Sequence, residues 1–303
     1  MSEAPPEPFA RLLRSWSRHL AAANKSPQTI KLYVDAGALL GAFLATRGGP
    51  SDPTSVARAD VEAFIADLLE TKSSSTAATR YRGLQQFFKW LVLEEEVDRS
   101  PMEGMRPPKL EEKPVPVVGN EHLSALLKAC AGKGFEPRRD LAIIRVFIDT
   151  GIRAGEMEGL RVQDVDLDRR ALVVTGKGRR TRGVGLGVKA TKDLDRYIER
   201  ARPTHPAARE EALWLGGGGG PLSASGIAQM LRRRCDQAGI PRIHPHQLRH
   251  TFAHLWLAQG GGERDLMSLA GWRSPQMLGR YGASLAAERA REAHQRLAPG
   301  DTL

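Results

Sequence analysis

Residues 100–119 read SPMEGMRPPKLEEKPVPVVG, and this segment limits what the chain can fold into more than any other. Proline lacks a backbone N–H and fixes φ, so the five prolines here exclude both a continuous helix and an interior strand. With charges of both signs between them, they make an extended and fairly stiff linker. A chain divided in this way must build a core on each side, and 303 residues are enough for two. The division expected is a helical domain over 1–103, a linker over 104–118 and a second domain over 119–303.

Before the linker the apolar spacing is helical throughout. Phe9, Leu13, Trp16 and Leu20 fall on one face. Ser26-Pro27 supplies an N-cap and a proline at the first helical position, and Ile30, Tyr33, Leu40, Phe43 and Leu44 follow. Gly48-Gly49-Pro50 stops that helix. A third helix is expected near Asp60–Leu69, and a fourth after the serines at 73–75, carrying Tyr81, Leu84, Phe87, Phe88, Trp90 and Leu91.

Strands are expected only beyond the linker. A helix over Glu121–Ala131 and a strongly apolar one over Arg139–Thr150 precede three short strands: Val165–Leu167, Ala171–Thr175 and Gly183–Val188. Turn residues at Asp168-Arg169 and Gly176-Lys177-Gly178 make them a small antiparallel sheet. Helices return over Lys189–Arg202, again from Ser223, and finally near Leu285–Leu297. The five glycines at 216–220 lack the spacing of a phosphate-binding loop. The fold class expected is mainly α with a small antiparallel sheet.

The net charge of +10 suggests a polyanionic partner, most often nucleic acid, although a soluble basic enzyme would also fit. Two cysteines, Cys130 and Cys235, cannot make a disulfide framework or a four-cysteine zinc site, and a reducing compartment is the simpler assumption. The N-terminus has neither the basic nor the apolar region of a secretory signal, and no transmembrane helix is expected. A cytoplasmic protein follows as the expectation.

The densest group of reactive side chains is HPHQLRHTFAH, residues 244–254. His246, His250 and His254 recur every four residues and share one helical face. From these residues alone three readings stay open. Histidines at i and i+4 can chelate zinc, although no Glu lies between the first pair to act as a base and no carboxylate ligand is near. They can be surface or core histidines with satisfied hydrogen bonds. Or His246 acts with Arg249, whose planar fork of donors suits a phosphate.

Other segments stand around this one. TGIRAGE ends an apolar helix in a glycine turn and sets Arg153 just beyond it. GKG puts Lys177 in a hairpin turn, LAGWRS carries Trp272, and RYG carries Tyr281. Singly, these are ordinary surface charges and core aromatics. Together and in this order they resemble the tyrosine recombinase (phage integrase) family, over nearly the whole chain. The spacings agree with it: His246 and Arg249 are three apart, Arg249 and Trp272 twenty-three, Trp272 and Tyr281 nine. NKSPQT at 24–29 and the segments around Ala78–Arg80 and Phe87–Leu91 resemble the family's core-binding helical domain. Trp272 stands where His is commoner; an indole donates one hydrogen bond and cannot shuttle a proton. No further module is expected ahead of Phe9.

The resemblance implies a catalytic set of Arg153, Lys177, His246, Arg249, Trp272 and the nucleophile Tyr281, cutting DNA through a 3′-phosphotyrosine without cofactor or metal. It implies double-stranded recombination sites as partner and a tetramer on DNA joined through the C-terminal tail, with packing of that tail in cis as the less favoured reading. An accessory DNA-bending or directionality factor is a further expectation. DNA contacts are expected from Lys25, Lys31, Arg80, Arg82 and Lys89 in the helical domain, Arg80 nearest the bases, and from Arg179, Arg180 and Arg182 after the hairpin. Phage or prophage integration is the leading role. Xer-type dimer resolution, a catalytically silent regulator, a type IB topoisomerase and a zinc hydrolase are the rivals.

Overall fold

The computed structural model describes residues 4–110, 116–176, 178, 180–272, 274, 278, 291, 294 and 295. The chain forms two compact units, 1–113 and 114–303.

The first unit holds helices α1 (Glu7–Ala22), α2 (Pro27–Thr46), α3 (Arg58–Thr71) and α4 (Ser74–Leu93). Ser26 and Ser73 cap α2 and α4, accepting from the N–H groups of Thr29 and Thr76 at 3.2 Å. The faces legible in the spacing are the buried ones. Phe9, Leu13, Trp16 and Leu20 meet Leu40, Leu44, Phe64, Leu84, Phe87, Phe88 and Leu91 in one core. Trp16 is its centre, 5.1 Å from the Phe87 ring and 6.0 Å from that of Tyr33. α2 and α4 cross closely at Gly83, where a Cβ would come within 2.8 Å of the Ala36 methyl group. One expectation meets an exception. α2 is long and apolar enough, by length and composition, to cross a membrane. Its apolar residues Ala36, Leu40 and Leu44 are instead spent on this core.

Residues of the expected linker pack against both cores. Met102 and Met105 pack on the helical core, and the Tyr81 hydroxyl donates to the Met105 carbonyl at 2.8 Å. At the other end Val118 is buried in the core of the second unit.

That second core is centred on α6 (Phe135–Thr150), which buries Ile143, Ile144, Val146 and Phe147. α6 starts ahead of the expected Arg139 because Pro137 falls in its first turn, where a missing N–H costs nothing. Around it lie α5 (Asn120–Lys128), the short α7 (Ala154–Glu158), α8 (Val188–Asp195), α9 (Ala224–Ala238), α10 (Pro245–Ala258) and α11 (Glu263–Ala270). The antiparallel sheet has the order β1 (Val165–Asp166), β2 (Ala171–Thr175), β3 (Thr181–Gly185). Leu172 pairs with Val184, and Val174 with Arg182, all four on the face turned to the core. β3 ends at Gly185 rather than Val188 because the Gly187 N–H bonds the Asp149 carboxylate and α8 starts there. The tail helix expected over Leu285–Leu297 lies almost wholly outside the described residues.

One buried ionic group ties this unit together. Asp140 is fully buried; Arg139 donates to its Oδ1 at 2.7 and 2.9 Å, and Arg234 to its Oδ2 at 2.8 and 2.9 Å. The same arginines reach the carbonyls of Leu215 and Ala129, both at 2.9 Å. α5, α6, α9 and the segment at 215 are thereby joined through one carboxylate.

Candidate active site

α6 ends at Gly151, which has a left-handed φ of 59°. A Cβ at this position would lie 2.3 Å from Phe252 Cδ1, so only glycine lets the end of α6 approach α10 so closely. The approach brings the Gly151 carbonyl to Arg249, whose Nη1 donates to it at 2.7 Å. Arg249 Nη2 donates to the Ala270 carbonyl at 2.6 Å, at the end of α11. Arg249 is 4% exposed, and the Trp272 ring centre lies 5.4 Å from its guanidinium carbon. The ends of α6 and α11 thus fix the guanidinium of α10. Trp272 is itself buried, its backbone N–H bonded to the Met267 carbonyl at 2.9 Å.

Arg153 stands at the entrance to α7 with its side chain 42% exposed. Its orientation comes from Glu156, one turn on. Glu156 accepts from the Arg153 N–H and from Arg153 Nη1, both at 2.8 Å. It also accepts two parallel bonds of 2.9 Å from Arg182 on β3. Burial alone would push the Glu156 carboxyl up. The Arg182 bonds, the Arg153 N–H and the two positive charges outweigh it and hold the group at about 2. Arg182 Nε continues the chain to the Leu269 carbonyl at 2.7 Å.

Arg182, one of the expected DNA contacts, has its three nitrogens engaged inside the protein. It points inward with Val174 and Val184, and its work is to hold the sheet against α7 and α11. Conversely, Glu156 carries no expected role, although it stands within TGIRAGE, three residues after Arg153 at the spacing of a helix-start box.

Lys177, Tyr281 and Arg179 lie outside the described residues. Beside Lys177, the hairpin closes through the Gly176 N–H and the Arg180 carbonyl at 2.8 Å, and the base of the hairpin faces Glu156. His246 is exposed in the first turn of α10, whose start is closed by Gln247 Oε1 accepting from the His244 N–H at 2.8 Å. Among the described residues, no group of three or more His, Cys, Asp or Glu side chains is arranged to hold a metal ion.

The other basic candidates divide. Lys25, Arg82, Lys89 and Arg180 are exposed. Lys31 is exposed and paired with Asp35 at 2.9 Å. Arg80 is half-buried and donates to the Leu32 carbonyl at 3.1 Å, joining α4 to α2. Charge is unevenly shared between the units. Basic and acidic residues are equal in number over 1–113, so the whole excess of ten positive charges falls within 114–303.

Two family models match this chain, each over its own segment. The model of the phage integrase family matches residues 117–288, and that of the phage integrase N-terminal SAM-like domain matches residues 12–98. Tyrosine recombinase XerC of Oceanobacillus iheyensis is 32% identical over 257 residues, covering 83% of this chain and 84% of that protein. Among solved structures, the Tn1549 transposon integrase in complex with transposon right end DNA has a TM-score of 0.73 at 21% identity, covering 96% of this chain and 99% of that one. A lambda integrase tetramer bound to a Holliday junction has a TM-score of 0.69 at 17% identity, covering 88% of this chain and 77% of that one.

Proposed function

Because this chain belongs to the phage integrase family of tyrosine recombinases, we propose that it cuts and rejoins double-stranded DNA at a defined site through a covalent 3′-phosphotyrosine at Tyr281. The observation that carries this reading is the joint fixing of two arginines. Arg249 is held by the Gly151 and Ala270 carbonyls, and Arg153 by Glu156, which Arg182 links to the neighbouring Leu269 carbonyl.

Two pre-aimed guanidinium groups suit a phosphodiester, whose negative charge repels nucleophiles and grows in the transition state. Tyrosine ionises near pH ~10, so it needs help at neutral pH, and adjacent positive charge favours the phenolate. In the proposed step Tyr281 Oη bonds to phosphorus while the bond to the 5′-oxygen breaks. His246 takes the phenolic proton and Lys177 donates one to the departing oxygen. One phosphodiester replaces another, so a free 5′-hydroxyl reseals the strand by the reverse step, and neither ATP nor a metal is needed. Trp272 packs beside Arg249 and does no proton transfer. Lys25, Lys31, Arg80, Arg82, Lys89, Arg179 and Arg180 complete the DNA contacts, mostly with phosphates.

The working form is a cytoplasmic tetramer on two DNA sites, joined through the tail beyond Tyr281. The similarity to the lambda integrase tetramer supports it. An accessory factor sets direction. Integration and excision of mobile DNA is the leading role. A second reading, resolution of chromosome or plasmid dimers, is favoured by the 32% identity to XerC.

The test is to mix the purified protein with sheared DNA of its source organism and recover SDS-resistant adducts, with Tyr281→Phe as control. Adducts lost in that variant, with Tyr281 in the linked peptide, support the reading. Salt-sensitive binding with no adduct on any fragment would overturn it in favour of a silent regulator. Recovered fragments from a mobile element's ends indicate integration, and a single chromosomal site indicates dimer resolution.

A further inference from the structure

Among the described residues of the expected linker, 104–110 and 116–118, Val118 alone is buried. Its side chain enters the core of the second unit. Its N–H donates to Thr251 Oγ1 at 2.9 Å, inside the protein. Thr251 is fully buried on α10, two residues after Arg249. A threonine within a helix commonly donates to the carbonyl four residues back, and Thr251 does so to Gln247 at 2.7 Å. What is additional is the bond it accepts from the linker.

The chain of contacts goes further. Gln247 is the residue whose side chain closes the start of α10 by accepting from the His244 N–H at 2.8 Å. From Val118 through Thr251 to Gln247 and His244, hydrogen bonds run from the end of the linker to the turn that carries His246.

We propose that Thr251 is a positioning residue that couples the interdomain linker to the catalytic helix, setting His246 and Arg249 according to where the linker is held. The proposal rests on the recombinase reading above for its catalytic consequence. Its structural content stands without it. DNA engagement by the helical unit fixes the linker, and the Val118–Thr251 bond passes that constraint to α10. Cleavage is thereby tied to engagement of both units. Small misplacements of positioned groups cost rate more than binding, by up to about a hundredfold.

The experiment uses the full chain and the DNA fragment that the parent protein captures covalently. Thr251→Val removes the hydroxyl while keeping the shape, and Thr251→Ser keeps the hydroxyl. Three quantities are read: DNA affinity, single-turnover rate of adduct formation, and hydrogen exchange of the amides at 245–250 without DNA. Thr251→Val should bind within about twofold of the parent, form adduct about ten- to a hundredfold more slowly, and exchange those amides faster. Thr251→Ser should match the parent in all three. Should Thr251→Val fail to fold, Val118→Pro removes the donor from the other side and carries the same expectations. A parent-like rate in Thr251→Val overturns the proposal. So does a Ser variant as impaired as the Val variant, or a loss of affinity, rate and melting temperature in equal measure. If the parent itself forms no adduct, the recombinase reading has failed, and the exchange measurement still decides the coupling: unchanged amides at 245–250 in Thr251→Val overturn it, and faster exchange supports it.

Discussion

Arg182 and Arg249 donate to consecutive carbonyls, those of Leu269 and Ala270, at 2.7 and 2.6 Å. One arginine comes from the sheet and the other from α10, and both close on the end of α11 just before Trp272. Through Glu156 the first of them also holds Arg153. The two phosphate-facing arginines of the proposed mechanism are therefore fixed by one continuous set of bonds.

Replacing Glu156 by Gln should separate that set. It leaves Arg182, whose side chain is 16% exposed, without its carboxylate. Breaking one partner of such a buried pair costs about 3–5 kcal/mol. Urea unfolding at neutral pH measures the loss, and adduct formation should fall with it as Arg153 loses its orientation.

The same carboxylate gives a pH dependence. Its folded value, about 2, lies below the ordinary carboxyl value of 4.5. Its contribution is present above the unfolded value and is lost as pH falls from there through the folded one. Between these limits the urea midpoint of the parent should drop more steeply than that of Glu156→Gln. Parallel curves would show that Glu156 is not held in its charged form.

Arg249→Lys keeps the charge but cannot bridge the Gly151 and Ala270 carbonyls with a planar fork. The rate of adduct formation should fall by about a hundredfold or more, while DNA affinity changes far less. Single-turnover cleavage alongside equilibrium binding separates the two.

Asp140→Asn leaves Arg139 and Arg234 buried, at 2% and 7% exposure, with the half-exposed Glu136 carboxylate, 3.5 Å from Arg139, as the remaining counter-charge. A loss of about 3–5 kcal/mol is expected, read as a lower melting temperature of the second unit. Asp140→Asn with parent stability would mean that the carbonyls of Leu215 and Ala129 suffice for these arginines.

Adduct formation should be unaffected by chelators. The proposed step exchanges one phosphodiester for another and draws its charge stabilisation from guanidinium groups. Assay in excess EDTA against added magnesium checks this, and a strict metal requirement would revive a hydrolase built on the histidines of α10.

Most of the helical unit is legible from spacing, because Phe9, Leu13, Trp16 and Leu20 need only one period to declare a face. Arg153 and Arg249 are legible because each belongs to a motif with fixed neighbours. Glu156 and Arg182 are not, for a physical reason. Each is a charged residue whose partner lies across the fold, 26 positions away, and spacing within one element says nothing of that. Arg182 also sits in a basic run, where a solvated or DNA-facing charge is the ordinary reading. The alternation of β3 carries a usable signal, since Arg182 and Val184 share a parity and Val184 is buried. Asp140 was hidden similarly: beside Arg139 it reads as a polar helix start, and only the approach of α9 makes it the centre of an ionic group.

The even charge of the helical unit does not free its grip from ionic strength. Affinity for DNA that arises from releasing condensed counterions falls steeply as salt rises, by a slope set by the number of phosphates neutralised. Of the seven side chains proposed to complete the DNA contacts, Lys25, Lys31, Arg80, Arg82 and Lys89 belong to the helical unit, although its basic and acidic residues are equal in number. Raising salt therefore loosens the hold of both units, each by the phosphates it meets and not by its net charge.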